Sequence, residues 1–303
     1  MVAEAVDRPV EREYRNVGVD NLRWQSFVPR AGDIFVCTPP KCGTTWMQAI
    51  VAALLFPEGA PGPVMRIAPW LDARFEPIDD VVARLEAQSH RRSIKTHTPA
   101  DGIPWYPSVS YVVVGRHGLD AFMSLLNHMR NMRPEVFMRL GASAAQDGIA
   151  LGDGRRAPVE DVHEFFSWWL ENPLWFEHVA SFWSHVAEPN VLFVHYNDMQ
   201  ADLDGQMRRV ASFLDISVRE DQWAEQVERC TFESMKKGSD KISDFANFVG
   251  GAETFLYKGS NGRWRDVLTV DELAAFDRRA NELLPSDAIA WTTSGQAALS
   301  ARP

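Results

Sequence analysis

"DIFVCTPPKCGTTWMQAIVAALLF", residues 33–56, runs from an apolar strand-like segment through Pro-Pro-Lys-Cys-Gly-Thr-Thr into an apolar helix-like one. Strand, glycine-containing loop and helix in that order form a phosphate-binding layout. Gly43 lets the backbone approach an anion closely. Thr44 and Thr45 offer hydroxyls as well as N–H groups, and the helix expected to begin near Trp46 aims its free N–H groups and positive dipole end at the same point. Lys41 adds a full charge at the loop mouth. The order nevertheless differs from the nucleotide loop G-x-x-x-x-G-K-[ST], where lysine follows glycine and directly precedes a magnesium-binding hydroxyl. Here Lys41 precedes Gly43 by two positions, and no aspartate closes a strand as a metal ligand. The loop is expected to work without magnesium.

The whole chain sets the limits around that loop. Its 303 residues, 46% hydrophobic, can bury a sizeable core. A net charge of −10 does not attract nucleic acid, so an anionic ligand has to be held by local geometry. Three scattered cysteines (Cys37, Cys42 and Cys230) are too few for a disulfide framework or zinc site, which favours a reducing, cytoplasmic setting. The charged start "MVAEAVDRPVEREY" has no apolar core of a secretory signal. The longest apolar run, "AIVAALLF", falls far short of the roughly 20 residues a membrane span needs.

Four short apolar runs read as buried strands: 33–38, 92–97, 110–116 and 191–196. Helical patterns between them indicate an α/β fold of three layers, P-loop-like, with a central parallel sheet flanked by helices. Ligands bind at the carboxyl ends of such strands, and those ends carry Lys41, His97, Arg116 and Tyr196. The expected organisation is an N-terminal segment over 1–30 and a single domain over 31–295. Residues 132–162, polar and Gly-rich, read as a long irregular loop over the acceptor site. The aromatic stretch "HEFFSWWLENPLWFEHVASFWSHV" reads as helical core packing, with some rings available to line an acceptor pocket. His178 and His185 within it have no partners for a metal site and are expected on a helix surface.

"TPPKCGTTW" resembles the phosphosulfate-binding loop of the cytosolic sulfotransferases, T-Y-P-K-S-G-T-T-W. Further blocks follow in that family's order. "YVVVGRHGLDAFMSLLNH" is similar to its 3′-phosphate segment, with Ser124 eight residues after Arg116, and "IKTHTPADGIPW" to its K-x-H-x-P segment. "FVHYNDM" and "CTFESMKK" are similar to adenosine-side segments, and "YKGSNGRWRDVLT" to R-K-G-x-x-G-x-W-[KR]. The resemblance implies sulfuryl transfer from 3′-phosphoadenosine 5′-phosphosulfate (PAPS) to a hydroxyl of a small phenol or alcohol, leaving the 3′,5′-bisphosphate (PAP). It implies His97 as general base, Lys41 near the bridging oxygen and Lys95 beside the histidine. Cys42, Gly43, Thr44 and Thr45 would hold the 5′-phosphate, and Arg116 and Ser124 the 3′-phosphate. Trp46, Tyr196, Thr231 and Phe232 would lie by the adenosine, with Lys258 and Gly259 in the C-terminal block. No metal, nucleic acid or membrane is implied.

Two departures from the family pattern stand out. Cys42 replaces the loop serine, so a hydroxyl contact is lost and a thiol near a lysine is expected to be oxidation-prone. Tyr257 replaces the arginine of Arg-Lys-Gly, with Arg263 nearby as a compensating cation. The segment "RDVLTVDELA" keeps Thr-Val but lacks the final glutamate of the family's dimer pattern, so monomer and homodimer both stay open. The rival readings are a P-loop kinase or NTPase, opposed by the lysine position, and an inactive nucleotide-binding module, opposed by retention of Lys41 and His97.

Overall fold

Each of the four apolar runs is a strand in a computed structural model of the chain, which describes residues 6–149 and 157–300. The strands are β1 (Ile34–Cys37), β2 (Ser93–Thr96), β3 (Ser110–Gly115) and β4 (Val191–His195). They pair in parallel in the order β2-β1-β3-β4. Side chains alternate across a strand, so each one feeds two cores. Phe35, Cys37, Tyr111, Val113 and Phe193 face one side, and Ile34, Val36, Val112, Val114 and Val194 the other. Parallel strands need long crossovers, and helices supply them.

Six helices matter for the site and the core: α1 (Thr44–Leu55), α2 (Gly118–Asn131), α3 (Pro134–Gln146), α4 (Val162–Glu171), α5 (Leu174–Trp183) and α6 (Leu203–Phe213). Helices α1 and α6 cover the aliphatic face through Met47, Ile50, Met207 and Val210. The aromatic stretch covers the other face as two helices, because Pro173 cannot donate into a continuing α4. Phe165, Phe166, Phe176 and Phe182 are fully buried there, each stabilising the fold by roughly 1.5–3 kcal/mol.

Three expectations need correction. Most of 132–146 is not loop but α3, with Pro134 at its first turn and Val136, Leu140 and Ala144 buried one turn apart. The centre of the expected loop, 150–156, lies outside the described residues. His178 is not on a surface. It is wholly buried and stacked on Phe182 at 4.6 Å, because α5 packs on both the core and the 100–102 turn, and burial pushes its pKa down to about 3. His185 is half-buried and bonded to Glu188 at 2.7 Å.

The N-terminal segment is integral. Trp24 and Phe27 sit in the aromatic core, and Arg8 reaches Glu188 at 2.8 and 2.9 Å. Among the described residues no helix is long and apolar enough to cross a membrane.

Candidate active site

Of the residues singled out from the sequence, all but Cys42 and Thr231 line one cavity of ≈ 740 Å³ at the carboxyl ends of the strands. Its floor is the loop after β1. Lys41 (φ 69°) and Gly43 (φ 101°) both take left-handed conformations, which turns the chain sharply before α1 begins at Thr44, two residues earlier than expected. A Cβ at Gly43 would lie 2.9 Å from the Tyr196 ring, so the position requires glycine for space as well as backbone. As N-cap, Gly43 brings no side-chain oxygen to the first-turn N–H groups of α1, which leaves them for an anion.

One relay links this loop to β2. The register pairs Cys37 with Thr96, which sets the next residues, Thr38 and His97, side by side. His97 Nδ1 lies 2.7 Å from the Thr38 carbonyl oxygen and 3.1 Å from its hydroxyl, and that hydroxyl lies 2.5 Å from Thr44 Oγ1. A carbonyl only accepts, so Nδ1 carries the proton and Nε2 keeps its lone pair. Burial, then the Lys95 charge, push the His97 pKa well below the ordinary histidine value, so the ring stays neutral. Thr38 stands inside the loop motif, yet nothing in the sequence marked its role.

Asp72 went unmarked too. Fully buried, it accepts from Trp70 Nε1 (2.5 Å), Thr96 Oγ1 (2.5 Å), Thr98 Oγ1 (2.7 Å) and Trp24 Nε1 (3.1 Å). These partners frame His97. Thr96 and Thr98 flank it in sequence, and Trp70 meets its ring edge-on at 4.6 Å while carrying Lys95 Nζ at 4.3 Å on its face. An isolated aspartate in "PWLDARF" has no pattern to betray it. Asp72→Ala would leave three buried donors and the half-buried Trp70 Nε1 without their acceptor, and should lower the urea unfolding free energy by about 3 kcal/mol or more. A loss under about 1 kcal/mol would show that the network does not hold this corner.

Three cations, Lys41, Lys95 and Arg116, converge on the cavity, and among the described residues the only carboxylate that bears on the pKa values of the two lysines is Asp72, near Lys95. Lys41 Nζ touches His128 Nδ1 at 3.2 Å and sits 4.5 Å from the Phe255 ring. Arg116, 5% exposed, lies 4.1 Å over the Tyr196 ring. Its Nε donates to Asn261 Oδ1 at 2.9 Å, its Nη1 to the Lys41 carbonyl at 3.2 Å and its Nη2 to the Ser260 carbonyl at 3.3 Å. Burial, then repulsion from Lys95 and Arg116, lowers the Lys41 pKa to about 7, and burial lowers that of Lys95 to about 8. Among the described residues none of the three forms an ion pair with a carboxylate. Buried cations left so are costly, and a polyanion supplies what they lack. The residues present therefore fit a phosphosulfate or bisphosphate.

The two outliers have local explanations. The Cys42 side chain packs into the aromatic core, with its sulfur 3.9 Å from the Pro40 carbonyl and its N–H bonded to the Pro39 carbonyl at 3.3 Å. Burial pushes its thiol to about 12, so the expected oxidation-prone thiolate does not form. Thr231 caps the 232–237 helix, accepting from Ser234 N at 3.2 Å. Trp46 donates to the Cys230 carbonyl at 2.7 Å and meets the Tyr196 ring edge-on at 5.3 Å. Tyr257 offers its ring to Lys258 at 5.1 Å and to Arg263 at 5.5 Å, so the residue that replaces a cation gathers two others.

The profile of the family described as "Sulfotransferase domain" matches residues 31–286. The chain belongs to the sulfotransferase family. A "Glycolipid sulfotransferase" of Mycobacterium bovis (strain BCG / Pasteur 1173P2) is 34% identical over 314 residues, covering 93% of this chain and 94% of that protein. Human "Sulfotransferase 1E1" is 24% identical, covering 90% of each. Among solved structures, mouse sulfotransferase SULT7A1 complexed with PAP superposes with a TM-score of 0.66 at 21% identity, over 92% of both chains. Retinol dehydratase in complex with androsterone and PAP gives 0.67 at 22% identity, over 88% of this chain and 87% of that one. As expected from its ordered motifs, the chain has the sulfotransferase fold: a central parallel sheet flanked by helices. As a sulfotransferase it takes PAPS as donor.

Proposed function

We propose that this sulfotransferase moves the sulfuryl group of PAPS to the hydroxyl of a lipophilic organic acceptor, with His97 as general base and Lys41 offsetting charge on the departing bisphosphate. The observation that carries the reading is the commitment of His97 Nδ1 to the Thr38 carbonyl at 2.7 Å, which leaves Nε2 as a base on a neutral ring lining the cavity. Nε2 takes the acceptor's hydroxyl proton while the acceptor oxygen bonds to sulfur and the bond from sulfur to the bridging oxygen breaks. Lys41 and Lys95 stabilise charge on the oxygens, as cation clamps do in phosphoryl transfer. Thr44, Thr45 and the first-turn N–H groups of α1 hold the 5′-phosphate. Arg116 and Ser124 hold the 3′-phosphate, Lys258 and Gly259 support it, and Trp46, Tyr196 and Phe232 lie beside the adenosine.

The apolar part of the cavity lining supports a lipophilic acceptor. Trp70, Phe75, Phe137, Leu140, Trp168 and Phe255 belong to it, drawn from several separate segments of the chain. A phenol, a sterol or a lipid-linked sugar meets that description, and the name of the mycobacterial relative points toward the last. Incubation with PAPS and a panel of phenols, sterols and glycolipids, without added metal, should give a product heavier by one SO₃ together with one equivalent of PAP. Absence of both products across the panel, or a strict need for magnesium, would overturn the reading.

A further inference from the structure

The geometry points to His128 as a positioning residue for Lys41: its imidazole Nδ1 accepts from the lysine ammonium and fixes where that charge stands in the cavity. The inference rests on the role proposed for Lys41 and adds a residue to it. His128 lies one helical turn beyond Ser124 on α2, so both face the cavity. Its Nδ1 is 3.2 Å from Lys41 Nζ. Phe248 and Phe255 hold the ring at 4.8 and 5.8 Å, and Phe255 also carries the ammonium on its face at 4.5 Å. Lys41 is therefore gripped by a nitrogen lone pair and an aromatic face, both neutral.

An ammonium has donors only, so Nδ1 is the acceptor and the His128 proton resides on Nε2. The charged and titratable groups that face His128 are Lys41, Lys95 and His97; burial and these neighbours keep it neutral and fit to accept. Two consequences follow for Lys41. A free lysine side chain loses up to about 2 kcal/mol of rotamer entropy on being fixed, and a hydrogen bond to a charged group contributes about 1.5–3 kcal/mol, so the contact suffices to hold it. The same bond favours the charged form, opposing the burial that draws the lysine toward neutrality.

Two substitutions separate the nitrogen from the ring. His128→Phe keeps the packing and removes the acceptor; His128→Asn places an amide oxygen near the position of Nδ1. Lys41 protonation is read on the full chain without nucleotide, from brief acetic anhydride pulses across pH and peptide mass spectrometry. The pH midpoint for Lys41 acylation should fall by about one unit in His128→Phe and return toward the parent value in His128→Asn. With PAPS and an accepted hydroxyl, kcat should fall about tenfold in His128→Phe and recover in His128→Asn, with PAP affinity little changed. An unmoved midpoint in His128→Phe, or equal shifts in both variants, overturns the inference. The acylation readout needs no turnover. A shifted midpoint in a chain that transfers no sulfuryl group would thus uphold the positioning of Lys41 and fault the catalytic reading alone.

Discussion

His97→Ala should reduce kcat by about 10²–10⁴ and leave the Kd for PAP within a few-fold of the parent value. The magnitude is that of losing a well-placed general base. The selectivity follows from position, because the hydrogen bonds of His97 run to Thr38, whose own 2.5 Å contact with Thr44 Oγ1 does not involve the imidazole. Burst kinetics and calorimetric titration with PAP would measure the two quantities. A kcat within tenfold of the parent would remove His97 from the chemistry. Equal losses of turnover and PAP binding would make it a prop for the loop instead.

Arg116→Ala should weaken PAP by about 100-fold, the value of a charge-assisted contact worth about 3 kcal/mol, and weaken adenosine 5′-phosphosulfate only a few-fold. The surroundings of Arg116 favour discrimination of this kind. Its guanidinium is buried, stacked on Tyr196 and set by Asn261 and two backbone carbonyls, so little freedom is lost when a phosphate arrives. No carboxylate competes for it among these contacts. Titration of both nucleotides against the variant decides the matter, since equal losses for the two would assign Arg116 to the packing of the 257–263 segment.

The strands and the anion loop were legible in the sequence because their signals are local. A parallel strand buried on both faces leaves an unbroken apolar run, and a loop that must reach an anion needs its glycine, hydroxyls and cation within a few residues. The residues that hold the chemistry in place were not legible. Asp72 meets Thr96 across 24 positions of chain, Thr38 meets His97 across 59 and His128 meets Lys41 across 87, and no periodicity encodes such an approach. Helix α3 was hidden by Gly141 and its polar neighbours, although Val136, Leu140 and Ala144 kept the helical spacing. His178 was misplaced because a surface assignment assumes one packed face, whereas α5 has two.

Thr38 and His97 stand next to each other because β1 and β2 are hydrogen-bonded neighbours in register. The separation between the loop after β1 and the proposed base His97 is thus set by the strand-to-strand repeat of a sheet, about 4.8 Å, among the stiffest lengths a protein possesses. Most of the acceptor wall is assembled otherwise, from Phe137 and Leu140 of α3, Trp168 of α4 and Phe255, which lie outside that ladder, whereas Trp70 is bridged to Lys95 of β2. Reaction geometry and acceptor choice are therefore separable variables in this architecture. Redrawing the part of the wall that lies outside the ladder, to admit a different alcohol, should leave the spacing between the loop and His97 untouched.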